Sequence, residues 1–99
     1  MNKLNKTVIL NFLKKHKFEL QKNYGVIKIG LFGSYITNSA TNKSDIDILV
    51  EMKKDKIFDN YFNLKEYLEK SFDKKIDLGI KDNLRELIKK RVEKEVIYV

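Results

Sequence analysis

Three aspartates stand in strand-like apolar segments, where acidic residues are disfavoured. Asp45 and Asp47 flank Ile46, and Asp77 interrupts the apolar alternation of Lys75–Ile80. A two-residue spacing points the first two carboxylates from one face of a strand, and a neighbouring strand can bring Asp77 beside them. Such a cluster repels itself unless a cation neutralises it, and Mg²⁺ takes all-oxygen ligands together with nucleotide phosphates. We favour this metal site over the alternative, in which Asp45 caps a turn and the other two carboxylates face water.

The pair Gly33-Ser34 directly follows the apolar run Val26–Phe32. Glycine permits close backbone approach, and successive amides at a turn form a concavity that binds anions such as a triphosphate. Taken alone, the pair is more typical of an ordinary turn. The sequence contains neither GxxxxGK[ST] nor GxGxxG, and its one GxxG has a Leu-Phe centre typical of a buried strand rather than a KH-domain loop.

The elements that must position these groups alternate along the chain. The patterns predict a helix from Asn5 to about Lys22, ended by Asn23-Tyr24-Gly25, and strands over Val26–Phe32, Asp45–Met52, Lys75–Ile80 and, in the tail, Val96–Val99. Tyr35–Ser44 is interpreted as a helical turn and a loop. Two further helices are expected, one capped by Asp59 and running to about Phe72, the other running to about Glu95 from a capping box of Asn83 and Glu86. This order predicts an α/β (α+β) fold, with helices packed on one face of a small mixed sheet of three or four strands.

The composition limits the classes of function. With 99 residues we expect a single domain over 1–99. The chain has no Cys and one His, which excludes disulfide scaffolds, thiolate zinc sites, Cys nucleophiles and multi-His metal sites within the chain. Net charge is +7, but the Lys residues are scattered, so direct nucleic-acid binding is not expected. No apolar run suits a membrane span or a secretory signal, so the expected location is the cytoplasm.

The spacing of the turn and the aspartates resembles a known signature. Gly33-Ser34, ten intervening residues and Asp45-Ile46-Asp47 match GS-x10-DxD of the DNA polymerase β-like nucleotidyltransferase superfamily. The segments LFGSY, SDIDILVE and KKIDLGI resemble the sequences of the minimal nucleotidyltransferase (MNT) branch. The resemblance runs from about Ile27 to the C-terminus. The resemblance implies the polymerase β-like nucleotidyltransferase fold.

Members of this branch resemble a nucleotidyltransferase core without a substrate-binding domain, and many are antitoxins paired with HEPN-domain toxins. The resemblance therefore implies a protein adenylyltransferase that transfers AMP from ATP to a tyrosine of a partner HEPN toxin and so neutralises it. It also implies a hetero-oligomeric complex, because this chain offers no second domain to present an acceptor. By motif position, Gly33 and Ser34 would hold the nucleotide phosphates, Asp45 and Asp47 would bind Mg²⁺, and Asp77 would be the third carboxylate of the catalytic and metal-binding set.

These implied roles agree with the chemistry of the residues. Attack of a hydroxyl on the α-phosphorus of ATP needs charge neutralisation and positioning more than covalent catalysis. A pair of Mg²⁺ ions would supply the neutralisation, and Asp77 is placed to orient the nucleophile or accept its proton. One departure affects the nucleotide preference: the branch often has Ala-Arg-Gly where Ile36-Thr37-Asn38 stands here, and nothing at Thr37 replaces the arginine charge. Asn38 can adopt the left-handed backbone that a glycine would use.

Two other functions remain open at this point. The chain can be an antitoxin that neutralises by binding alone, or a basic module that binds nucleic acid, although the aspartates disfavour approach to phosphate. Among other residues of interest, His16 is interpreted as a core-edge or interface residue. The aromatic residues of the middle helix are interpreted as packing residues rather than a base-stacking platform: Phe58, Tyr61, Phe62 and Tyr67.

Overall fold

The periodic segments fold into helices and strands in the expected order. The computed structural model describes residues 4–99. Its helices are α1 (Lys6–Lys15), α2 (Lys17–Tyr24), α3 (Ile57–Phe72) and α4 (Glu86–Glu95), and its strands are β1 (Val26–Phe32), β2 (Ile46–Met52), β3 (Ile76–Ile80) and β4 (Ile97–Tyr98). Short 3₁₀ turns follow β1 at Gly33–Tyr35 and β3 at Lys81–Asn83. Within residues 4–99 no helix is both long and apolar enough to cross a membrane.

The four strands form one mixed sheet in the order β3-β2-β1-β4. Strand β1 runs antiparallel to both β2 and β4, whereas β2 and β3 are parallel and are connected through α3. The tail contributes the fourth strand, because β4 pairs with Gly30 and Leu31 of β1. The prediction of a small mixed sheet of three or four strands is therefore confirmed.

One face of the sheet carries the core. Alternate residues of β2 point into it, and Ile46, Ile48 and Val50 are fully buried. Helices α1, α2 and α3 cover this face with Ile9, Leu13, Leu20, Leu64 and Leu68, each also fully buried. Burial of each large aliphatic side chain stabilises the fold by roughly 1.5–3 kcal/mol. Because this face is apolar, the side chains between these residues, Asp47 among them, lie on the opposite face.

The first helix differs from the prediction of one helix over 5–22. It is interrupted at His16, whose backbone (φ −99°, ψ 9°) leaves helical geometry, so that α1 and α2 are separate. The predicted ends hold better, since Asn5 caps α1 by accepting a hydrogen bond from Val8 N–H at 2.9 Å, and Gly25 ends α2 with φ 66°. His16 is half-buried against Phe12, with ring centroids 4.3 Å apart, which confirms its place at the edge of the core.

The predicted starts of the two later helices are wrong. Helix α3 begins at Ile57 after Lys56 in a left-handed conformation, so Asp59 lies in the first turn and is not the cap. The capping box does not form, because Asn83 belongs to a 3₁₀ turn and α4 begins at Glu86. Neither observed N-cap, Lys56 or Arg85, makes a side-chain capping hydrogen bond.

Candidate active site

The structure brings Asp47 and Asp77 together. The parallel register of β2 and β3 pairs these two residues directly, so their side chains lie on the same face of neighbouring strands. Asp45 immediately precedes β2 rather than lying in it, and its charge acts on Asp47 more weakly than that of Asp77 does. Asp77 is exposed, while Asp45 and Asp47 are half-buried. The arrangement is a carboxylate pair on the face of the sheet opposite the core, with a third carboxylate at its border.

The turn after β1 packs directly on this pair. Phe32 pairs with Asp47 across β1 and β2, so Gly33 begins its 3₁₀ turn beside the Asp47 carboxylate. Gly33 has φ 75°, and a Cβ at this position would overlap the Asp47 side chain. Only glycine satisfies both the backbone angle and the close contact.

A fourth carboxylate, absent from the sequence-based prediction, completes the turn. The N–H of Gly33 donates to Oε1 of Glu95 at 3.0 Å. The first amide of the turn therefore engages a carboxylate of α4. Within residues 4–99 the Ser34 hydroxyl has no hydrogen-bond partner, and it borders a polar cavity of about 500 Å³ that Lys6 and Lys74 also line. The lining of this cavity includes none of the three aspartates.

The environment of Asp47 opposes its ionisation. Burial, the charge of Asp77, and the hydrogen bond between the two carboxyls raise the pKa of Asp47 from 3.8 to about 6, and the Ser34 N–H offsets only part of this. Desolvation disfavours the charged form of a carboxyl, and a second carboxylate nearby disfavours it further. A pair that resists double ionisation in the absence of a cation is stabilised when a cation is supplied.

This raised pKa predicts an unusual pH dependence of stability. The folded protein binds the Asp47 proton more tightly than the unfolded chain, so the contribution of this group falls as pH rises from about 4 through about 6. Relative to Asp47→Asn, the wild type should lose about 1–2 kcal/mol of unfolding free energy between about pH 4 and 7.5, after allowance for solvent screening. Urea unfolding at both pH values measures this loss. Parallel pH profiles for the wild type and Asp47→Asn would contradict it, and Asp55→Asn, in an exposed turn, is the control.

The loop after the turn carries the departure noted in the sequence. Asn38 has φ 61°, so it takes the left-handed conformation expected of it. The Thr37 hydroxyl lies 3.3 Å from the Gly33 carbonyl oxygen and 2.8 Å from Ser39 Oγ, so its side chain ties the loop together. Thr37 stabilises the loop and supplies no positive charge.

The donor chemistry at the carboxylates fits Mg²⁺. The groups are all oxygen ligands, and Mg²⁺ is bound through one or two carboxylates together with substrate phosphates and water. Within residues 4–99, no group of three or more His, Asp or Glu side chains is already arranged as a complete ligand set. The two carboxylates that the fold brings together, Asp47 and Asp77, match the smaller protein contribution that Mg²⁺ needs.

An apolar groove of about 440 Å³ lies along β3 beside Asp77. Tyr61 lines it and donates a hydrogen bond from its hydroxyl to the Leu78 carbonyl oxygen at 2.6 Å. Burial and the charge of Asp77 raise the pKa of Tyr61. Phe58 and Phe62 also line the groove but are 77% and 60% exposed, so the interpretation of both as packing residues is wrong. The groove gives the β3 edge of the sheet an apolar surface.

Comparison with known proteins gives a consistent result. Residues 13–99 match the sequence profile of the nucleotidyltransferase domain family. The protein adenylyltransferase MntA of Thermococcus cleftensis is 41% identical over 91 residues, which cover 92% of each chain.

Solved structures share the fold at lower sequence identity. A structure provisionally described as a minimal nucleotidyltransferase aligns with a TM-score of 0.81 over 98% of both chains, at 21% identity. A toxin-antitoxin crystal structure with AMP-PNP aligns with a TM-score of 0.66 over 86% of this chain and 70% of that chain, also at 21% identity. These similarities show that the mixed four-stranded sheet and its helices have the fold of the minimal nucleotidyltransferase structure.

Proposed function

The chain belongs to the nucleotidyltransferase domain family, and from this premise we propose that it is a protein adenylyltransferase antitoxin. In this proposal residues 1–99 form a single minimal nucleotidyltransferase domain that acts in the cytoplasm. It transfers AMP from ATP to a tyrosine of a partner HEPN-domain toxin and thereby neutralises the toxin. The relative named protein adenylyltransferase MntA supports the reaction, and the fold similarity to a toxin-antitoxin structure with AMP-PNP supports the context.

The observation that carries the proposal is the contact between the Gly33-Ser34 turn and the Asp47–Asp77 pair. Gly33 packs against the Asp47 side chain, and Asp47 and Asp77 pair directly and resist joint ionisation. A polyphosphate with its cation neutralises such a site, whereas a bare anion such as a nucleic-acid backbone meets repulsion from it. The same face thus favours a nucleotide over RNA or DNA despite the net charge of +7.

Each residue then has a role in the transfer. Ser34 and the Gly33 turn hold the triphosphate, and Asp77, the most exposed of the three aspartates, orients the acceptor hydroxyl and takes its proton. The acceptor oxygen forms a bond to the α-phosphorus, and the bond from that phosphorus to the bridging oxygen breaks. Pyrophosphate leaves with the electron pair, so that AMP is joined to the acceptor as a phosphodiester.

Two Mg²⁺ ions are part of the proposal. Asp45, Asp47 and Asp77 are the residues that would hold them. When bound, the ions supply neutralisation of the triphosphate and lower the pKa of the attacking hydroxyl. Without them the carboxylate pair and the triphosphate repel each other, so EDTA should remove activity.

A separate protein must supply the acceptor. The chain carries exposed apolar side chains suited to protein contacts, including Phe58 and Phe62 at the groove and Leu87 on α4, which is 83% exposed. We propose that the HEPN toxin binds as a hetero-oligomeric partner and presents its tyrosine at Asp77.

Co-expression with the toxin tests the proposal. The toxin isolated with this chain should carry one or more AMP groups on a tyrosine, detected by intact-mass and peptide mass spectrometry. Toxin co-expressed with Asp47→Asn should be unmodified and should remain toxic to the cells. If the variant protects cells as well as the wild type does, and no AMP is found on toxin from either culture, the chain neutralises by binding alone.

A further inference from the structure

Glu95 makes a long-range contact with the Gly33-Ser34 turn. Its Oε1 accepts a hydrogen bond from the Gly33 N–H at 3.0 Å, across 62 residues of sequence and in a partly buried setting. The chain has 21 Lys and Arg residues, yet within residues 4–99 none of them forms an ion pair with this carboxylate. The contact of Glu95 is thus with the turn rather than with a basic side chain.

The fold fixes the position of Glu95 from both sides. It is the last residue of α4, where the Val96 N–H bonds to the Val92 carbonyl oxygen at 2.9 Å and Val92 is buried. Two residues later, β4 pairs with β1 at Leu31 and Gly30, just before the turn. The end of the chain therefore carries the Glu95 carboxylate to the first amide of the turn. Because the backbone is anchored on both sides, the Glu95 side chain extends from a fixed position near the turn.

The turn lies against two different carboxylates. Glu95 accepts a hydrogen bond from the Gly33 N–H, and a Cβ on Gly33 would overlap the Asp47 side chain. Asp47 belongs to the proposed metal-binding set, whereas Glu95 does not. Glu95 is therefore the carboxylate available to hold the left-handed Gly33 backbone in place.

We propose that Glu95 is a positioning residue that holds the Gly33-Ser34 turn in the geometry that receives the nucleotide phosphates. This inference rests on the proposed function, because the turn has a nucleotide to receive only if the chain is a nucleotidyltransferase. Glu95 acts as a hydrogen-bond acceptor through the turn and does not touch the reacting atoms. Its neutral isostere should therefore serve as well as the acid.

Glu95→Ala and Glu95→Gln separate this role from others. Loss of one hydrogen bond that orders the turn should raise KM for ATP about tenfold in Glu95→Ala, with kcat within about threefold of wild type. Glu95→Gln should restore KM, because its amide oxygen still accepts from Gly33. Glu95→Asp, one methylene shorter, keeps the charge but should behave like Glu95→Ala. Glu93→Ala, on an exposed position of α4, is the matched control.

A readout independent of AMP transfer accompanies the kinetics. In ¹⁵N-labelled protein, exchange of the Gly33 amide should be protected in wild type and Glu95→Gln and should accelerate about tenfold in Glu95→Ala. If wild type fails to transfer AMP while these exchange rates hold, the proposed function is wrong and the turn contact stands.

Three results would overturn the inference. The first is an unchanged Gly33 amide and unchanged KM in Glu95→Ala. The second is a lower KM in Glu95→Ala, because Glu95 would then compete with phosphate for the amide. The third is a Glu95→Gln variant whose KM for ATP is raised as much as that of Glu95→Ala. The negative charge of Glu95, rather than its hydrogen bond to Gly33, would then account for its effect.

Discussion

Asp47→Asn is expected to reduce AMP transfer by about a hundredfold or more, because one of the paired carboxylates that would bind the cation is lost. The same change should leave the fold intact. Asparagine matches the size of aspartate, its amide oxygen can accept from the Ser34 N–H, and it ends the repulsion with Asp77 that raises the pKa of Asp47. The thermal midpoint at neutral pH should be equal to or higher than that of the wild type. Initial transfer rates and calorimetry on the same preparations give both values.

This combination separates a site residue from a structural one. A core substitution lowers activity and stability together, whereas Asp47→Asn should lower activity and spare stability. Asp55→Asn, in the exposed turn before α3, should change neither. An Asp47→Asn protein that retains more than about a tenth of wild-type activity would remove Asp47 from the metal-binding set.

Gly33→Ala is expected to reduce AMP transfer about as much as Asp47→Asn does, for a different reason. Alanine at φ 75° costs roughly 1–2 kcal/mol, and its Cβ would overlap the Asp47 side chain. The turn and the Asp47 carboxylate must then move apart, which separates Ser34 from the proposed cation site. Both nucleotide binding and transfer should fall, and equilibrium unfolding should show a loss of more than about 2 kcal/mol.

Gly25→Ala is the matched control for this variant. Gly25 also has a positive φ, 66°, but a Cβ there would meet its nearest atoms at 3.4 Å and 3.6 Å, which leaves room for it. It should lose only the roughly 1–2 kcal/mol of backbone strain and keep wild-type transfer. If Gly25→Ala impairs transfer as much as Gly33→Ala does, general loss of stability would explain both variants.

The sequence was sufficient for the sheet and for the pairing of Asp47 with Asp77, but Asp45, predicted to join them, lies before β2 rather than in it. Alternation along β2 and β3 identified the buried face, and the period of two residues then placed Asp47 and Asp77 on the opposite face. Gly33 could be assigned to a turn because it ends the apolar run Val26–Phe32. These features are local, so one sequence is enough to find them.

Long-range contacts could not be predicted in this way. Glu95 ends a helix between Lys94 and Val96, and nothing in that context distinguishes it from a solvated glutamate. Its contact with Gly33 follows from the pairing of β4 with β1. Because β4 has only two residues, its sequence gives little indication of this pairing. The break at His16 was missed for a related reason: the stretch contains neither Gly nor Pro, and the apolar period continues across it.

The most direct test uses purified wild-type protein, its toxin partner, Mg²⁺ and ATP labelled at either the α- or the γ-phosphate. The account predicts that the toxin acquires label from α-labelled ATP only, and that EDTA or Asp47→Asn abolishes the labelling. Label from γ-labelled ATP would indicate phosphate transfer instead of AMP transfer. A stable complex with no label from either nucleotide would contradict the catalytic account and leave neutralisation by binding.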